Sequence, residues 1–345
     1  MNVVSQDPAV AMPPRPENPL RQRSLWIAVV LWVMGSLVVF PLSDGHLPFD
    51  WPQLAHASMP LKVLMPQGTV IAFIVLIGIV YWLTRRRAIP DMSARSPSAS
   101  TAKRELLVLW IYIGIVMAVG QIVGRKLFGE GIAMHLNGAL FGATRVQPPP
   151  EVWTWAIFNF VLLAAAPYAV FRLRGFSHEA LNLRSTNLRN DTLVIVVVLV
   201  LNSLPVYFQH VGIFAVSVRQ AIIGGGLSFI INLLGTCLPV MVLVYAIMMP
   251  RYAKLTHSKT TLWLLAAVSY PTLHLLEYWT VYNSVTNGLL SVIFVYLTLF
   301  PAGMVKSFLT LRTGNAWVHV WAFHAIYPHV IVGTPLIVKD FGIHT

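Results

Sequence analysis

The sequence predicts an all-α polytopic membrane protein of about nine transmembrane helices. Three observations lead there: an apolar composition, a series of apolar runs each near the length of a bilayer span, and basic residues crowded into alternate loops. The 345 residues are 57% hydrophobic and 10% charged, with a mean hydropathy of +0.70. A soluble domain carries about 25% charged residues. The net charge of +12 invites a nucleic-acid reading, but the charges are distributed between the apolar runs. No nucleic acid is expected as a partner, and the lipid bilayer is.

The runs fall at 24–42, 66–84, 105–123, 152–171, 192–209, 226–249, 261–282, 288–306 and 315–338, each close to the ~20 residues of a spanning helix. Residues 1–23 are Pro-rich and polar and read as a disordered cytoplasmic tail. The nearest A-x-A pattern, Ala55-His56-Ala57, lies well past the first run, so that run reads as an uncleaved helix. Two helices over 24–84 lead into a Ser-, Pro- and Arg-rich cytoplasmic linker at 85–104. A seven-helix membrane domain follows over 105–345. Residues 124–152 read as a long outer loop, closed by the prolines at 148–150. With a cytoplasmic N-terminus, only Lys62, Arg125, Lys126, Arg145, Arg219 and Lys339 fall outside, which leaves 18 of the 24 Lys and Arg residues inside. That bias fixes orientation. It places the C-terminus outside, and the expected location is a bacterial inner membrane.

Ionisable groups inside spans are expensive and usually have a job. Of six glutamates, Glu277 alone lies within an expected span and away from its cytoplasmic end. On a regular helix Tyr270, His274, Glu277 and Tyr278 share a face, just beyond Pro271, which frees the carbonyl of Ala267. The last run carries His319, His324 and His329. Steps of five residues rotate an α-helix by about 140°, so these three are not expected to face one way: His324 faces a cavity and His319 lies near the inner interface. His274, Glu277 and His324 are ligand types that zinc accepts, but no H-E-x-x-H spacing supports them. Cys237, the single cysteine, lies in an apolar run, so neither a disulfide nor a Cys-based metal site is expected. No cofactor is expected either. Glu277 also lies near the outer end of its run, where an interfacial anchor is the competing reading.

The segment TLRTGNAWVHVWAFHAIYPHV resembles the last motif of the CPBP family, the CAAX-protease and bacteriocin-processing intramembrane peptidases. Thr313, Gly314, Asn315, Trp317 and His324 match that motif. Tyr270-Pro-Thr-Leu-His274 resembles the family's F-x-x-x-H, the interval between the two histidines is the family's, and 173–191 looks like the lead-in to its core. The resemblance covers roughly residues 170–340. It implies a CPBP-like helical core with His274 and His324 as site residues that orient water or stabilise an oxyanion. Two features depart from the family. Its glutamate pair, E-E-x-x-x-R, is absent, and the corresponding helix is apolar near Met241; Pro328 replaces the last asparagine, with His329 adjacent. Two functions follow as expectations. One is a catalytically silent or strongly altered relative that binds a membrane peptide or partner protein in an intramembrane cavity. The other is a divergent intramembrane endopeptidase using His274, His324 and the one available carboxylate, Glu277.

Overall fold

The computed structural model describes residues 17–49, 57–129, 148–209, 215–277 and 279–345. Residues 1–16 of the expected tail and 130–147 of the expected outer loop lie outside them. The described residues form helices joined by turns, without strands. In chain order the helices are α1 (Arg23–Ser43), α2 (Met59–Thr84), α3 (Ala99–Phe128), α4 (Pro149–Leu173), α5 (Leu188–Gln209), α6 (Val218–Leu255), α7 (Lys259–Thr272), α8 (Val285–Thr313), α9 (Trp317–Ile331) and α10 (Thr334–Asp340).

The protein is a polytopic all-α membrane protein, but the count of nine spans is not obtained. Among the described residues six helices are long and apolar enough to cross a bilayer: α1, α2, α3, α4, α6 and α8. The pair α9 and α10, bent by 47°, makes a seventh if it is one span. The clearest departure is the run 261–282. Pro271 sits in the last turn of α7, which ends at Thr272 after 14 residues. At about 1.5 Å per residue that is roughly 21 Å, short of a ~30 Å hydrocarbon core. His274 and Glu277 therefore lie on the turns after a helix end, not on one helical face.

Burial ranks the helices. Only 11% of the apolar window of α1 is buried, against 67% of that of α6. The α1 side chains Leu31 and Leu37 are exposed, as befits a lipid-facing surface. The second half of α6 is the centre: every residue from Met241 to Met249 is buried, packed with Leu109 of α3, Leu163 of α4 and Tyr270 of α7. Several helices widen into π-helical turns, at Phe160–Ala165, Leu233–Cys237, Met241–Met248, Val320–His324 and Tyr327–Ile331. Such turns concentrate at functional sites.

One end of the bundle is tied by polar contacts that dock the 85–98 linker. Arg87 pairs with Asp191 and donates to the Thr313 carbonyl at 2.7 Å. Arg95 donates to Asn182 Oδ1 at 2.6 Å and to the Gly314 carbonyl at 2.8 Å. Gly314 ends α8 in the left-handed region at φ 64, where glycine carries no Cβ penalty. Glu105 of α3 accepts from Arg251 of α6 at 2.9 Å and lies 2.6 Å from Arg174. Glu17 caps α7: it accepts from Ser258 Oγ at 2.6 Å and from the amides of Lys259 at 2.7 Å and Thr260 at 3.3 Å. Burial raises the Glu17 carboxyl, but these hydrogen bonds outweigh it and hold the group below its ordinary 4.5. At the far end of α6, Gln220 Nε2 donates to the Ile343 carbonyl at 2.8 Å. Thirty-five helical residues, about 50 Å, separate Gln220 from Leu255, so Glu17 and the C-terminus lie at opposite ends.

Candidate functional site

Tyr270 sits in the last turn of α7, 3% exposed, and organises the polar centre. Its ring centroid lies 4.5 Å from that of His274 and 5.8 Å, edge-on, from that of His324. The two histidines singled out from the sequence are thus brought against one aromatic ring. His274 is fully buried, and its Nδ1 lies 2.7 Å from the Tyr270 carbonyl. Because a carbonyl only accepts, Nδ1 carries a proton. Lys306 of α8 reaches the same ring, its Nζ 3.6 Å from the Tyr270 centroid and 5.7 Å from that of Phe323. Sequence reasoning counted Lys306 among the cytoplasmic charges. It is instead 1% exposed inside the bundle, its amine held against aromatic rings.

The three histidines of α9 converge, against the sequence expectation. Ring centroids are 6.0 Å apart for His319 and His324, and 5.3 Å for His324 and His329. The cause is local. In the turn Val320–His324 the amide of Ala325 bonds the Val320 carbonyl at 2.8 Å, five residues back; the amide of Ile331 likewise reaches the Ile326 carbonyl at 3.3 Å. A five-residue hydrogen-bonded turn returns residue i+5 close above residue i. The α-helical rotation that would scatter the histidines does not apply. His319 is buried rather than interfacial, its ring 4.3 Å from that of Tyr245.

Cys237 completes the cluster from α6. It ends the π-helical turn Leu233–Cys237 and is fully buried. Ligand atoms of Cys237, His324 and His329 all lie within 4.8 Å of one another. Sequence reasoning missed Cys237, His329 and Lys306. The five-residue spacing of the histidines was the only available signal, and it points to convergence only if the turns are wide. His274, Glu277 and His324 do not form such a three-ligand group among the described residues. Glu277 is buried, 4% exposed, and its amide bonds the His274 carbonyl at 3.1 Å. Tyr278, expected beside it, lies outside the described residues.

Met241, the region where the glutamate pair of the CPBP pattern would fall, begins an eight-residue buried apolar segment, MVLVYAIM. A cleft of about 420 Å³ reaches Met241 between α4, α6 and α9, lined by Phe160, Ala164, Tyr168, Leu238 and Trp317 among others. The cluster offers imidazoles, a thiol, phenols and an amine, which is a set suited to binding, proton transfer and metal ligation. No family model matches the chain, and neither a curated protein nor a solved structure matches it.

Proposed function

We propose that this integral membrane protein binds a membrane peptide or partner protein within its helical bundle and does not hydrolyse it by a glutamate pair. The observation that carries this reading is the buried apolar segment Met241–Met248, whose first two residues, Met241 and Val242, line the cleft between α4, α6 and α9. Methionine, valine and leucine accept no proton, so the water-activating half of the CPBP mechanism has no base there. His274 and His324 meet at the Tyr270 ring and are not among the residues that line that cleft. The reading retains a CPBP-like core, a cytoplasmic N-terminus at the arginine-rich end, an outside C-terminus and a bacterial inner membrane.

One observation favours a second reading. Glu277 is buried on the turn that follows His274, and a carboxylate in that position is a relocated base for an endopeptidase using His274 and His324. The deciding experiment incubates the purified chain in liposomes with a panel of membrane and prenylated peptides. It also replaces Leu238, in the cleft, by a photoreactive residue. Cross-linking without cleavage supports the binding reading. Robust cleavage abolished by Glu277→Gln overturns it in favour of the endopeptidase.

A further inference from the structure

We infer that Cys237, His324 and His329 form a binding site for a thiophilic d10 metal ion, Zn²⁺ or Cu⁺. This goes beyond the peptide-binding reading and does not depend on it.

Geometry is the first support. The three ligand atoms lie within 4.8 Å of one another. Around an ion with bonds of about 2.3 Å to sulfur and about 2.0–2.1 Å to nitrogen, ligand atoms stand roughly 3.3–3.8 Å apart. A contraction of about 1 Å, within reach of side-chain rotation, closes the site around an ion. All three residues sit on helices that pack against each other in the bundle, and the backbone around them is held. The His329 carbonyl accepts from Ser228 Oγ of α6, and wide turns of α6 and α9 set Cys237 and His324.

Unmet bonding is the second, independent support. His324 and His329 are each 1% exposed, yet none of their four ring nitrogens has a hydrogen-bond partner among the described residues. Buried polar atoms are almost always paired. A neutral imidazole needs one donor and one acceptor contact, and here two rings side by side lack all of them. A metal ion takes one lone pair from each ring and satisfies both at once.

Donor chemistry selects the ion. A thiolate with two imidazoles is a soft set, and no carboxylate belongs to the group, so magnesium and calcium, which demand oxygen ligands, are excluded. With the thiolate, Cu⁺ makes a neutral three-coordinate centre in a low-dielectric interior. Zn²⁺ leaves one positive charge and an open fourth position, which a hydroxide ion would neutralise. On binding, the Cys237 thiol loses its proton to solvent and its sulfur forms the metal bond; no electron is transferred.

The test uses the full chain in detergent, stripped by a chelator and then titrated with Zn²⁺, with Cu⁺ under competition from a copper-specific chelator, and with Co²⁺ as a spectroscopic probe. The expected result is one ion per chain and, with cobalt, a thiolate-to-metal charge-transfer band. Cys237→Ser abolishes that band. His324→Ala and His329→Ala each weaken binding by more than about 100-fold, since even groups behind a ligand cost 10–100-fold. His257→Ala, an exposed histidine just past the C-terminal end of α6, leaves binding unchanged. The inference is overturned if the folded wild-type chain binds none of the three ions, or if its cobalt spectrum survives Cys237→Ser. The wild-type titration decides the matter even where a variant fails to fold.

Discussion

Removing the Glu105 carboxylate strands a charge in the interior. Arg251 is fully buried and Glu105 is 6% exposed. The guanidinium packs on the rings of Phe171 and Phe176, at 4.5 and 4.6 Å, and Glu105 supplies its carboxylate, at 2.9 Å. In Glu105→Ala the cation keeps its aromatic faces, worth about 0.5–2 kcal/mol, and its bond to the Ile247 carbonyl at 2.9 Å. It loses its counter-charge, and breaking a buried pair from one side costs about 3–5 kcal/mol. The second partner, Arg174, has a side chain 45% exposed, and a pair screened by water contributes only about 0–1 kcal/mol. The expected loss is therefore about 3–5 kcal/mol, nearly all of it from Arg251. Equilibrium unfolding in mixed micelles with increasing SDS measures it. The double variant Glu105→Leu with Arg251→Met removes both charges and is expected to be more stable than Glu105→Ala. A loss under about 1 kcal/mol for Glu105→Ala, in the range of a surface pair, would refute the reasoning, as would a double variant that costs the sum of its parts.

Three further outcomes are expected. A Cβ at Gly303 would overlap the Ala267 carbonyl oxygen of α7; overpacking costs about 1–3 kcal/mol, so Gly303→Ala lowers stability in the same micelle assay while Gly114→Ala, with open space around it, does not. Glu17→Gln weakens the cap of α7 and lowers stability by about 1 kcal/mol near neutral pH. Because the Glu17 carboxyl is held below its ordinary 4.5, this contribution is complete above that value and is lost as pH falls through the lower folded-state value. The melting curves of Glu17→Gln and wild type therefore converge in acid, and a gap that persists there counts against the cap. Cysteines placed at 274 and 324 in a Cys237→Ser background, both against Tyr270, are expected to cross-link with a short bifunctional reagent; no cross-link under conditions that join other buried pairs would contradict the shared site.

The helices were legible because a bilayer demands long apolar runs, and each of those runs contains a helix. What the sequence concealed is where helices deviate from α geometry. Pro271 was read inside a span whose helix continues to Tyr278, but the helix ends at Thr272 instead, which puts His274 and Glu277 on turns. Wide turns carry no compositional signature, so a histidine spacing that looks scattered at 100° per residue becomes a convergent face. Lys306 was counted with the cytoplasmic charges because it ends the apolar run 288–306, whereas its helix, α8, extends seven residues further to Thr313. Tyr270, His274 and His324 were legible from motif and interval. Cys237 was not, because a lone cysteine in an apolar run gives no hint of what faces it across a helix boundary.

X-ray absorption on the metal-loaded chain tests the account of the polar centre most directly. The predicted spectrum at the zinc or copper edge has one sulfur scatterer at about 2.3 Å and two imidazole nitrogens at about 2.0–2.1 Å, with the sulfur lost in Cys237→Ser. A first shell of oxygen and nitrogen alone, or a chain that retains no metal, would contradict it.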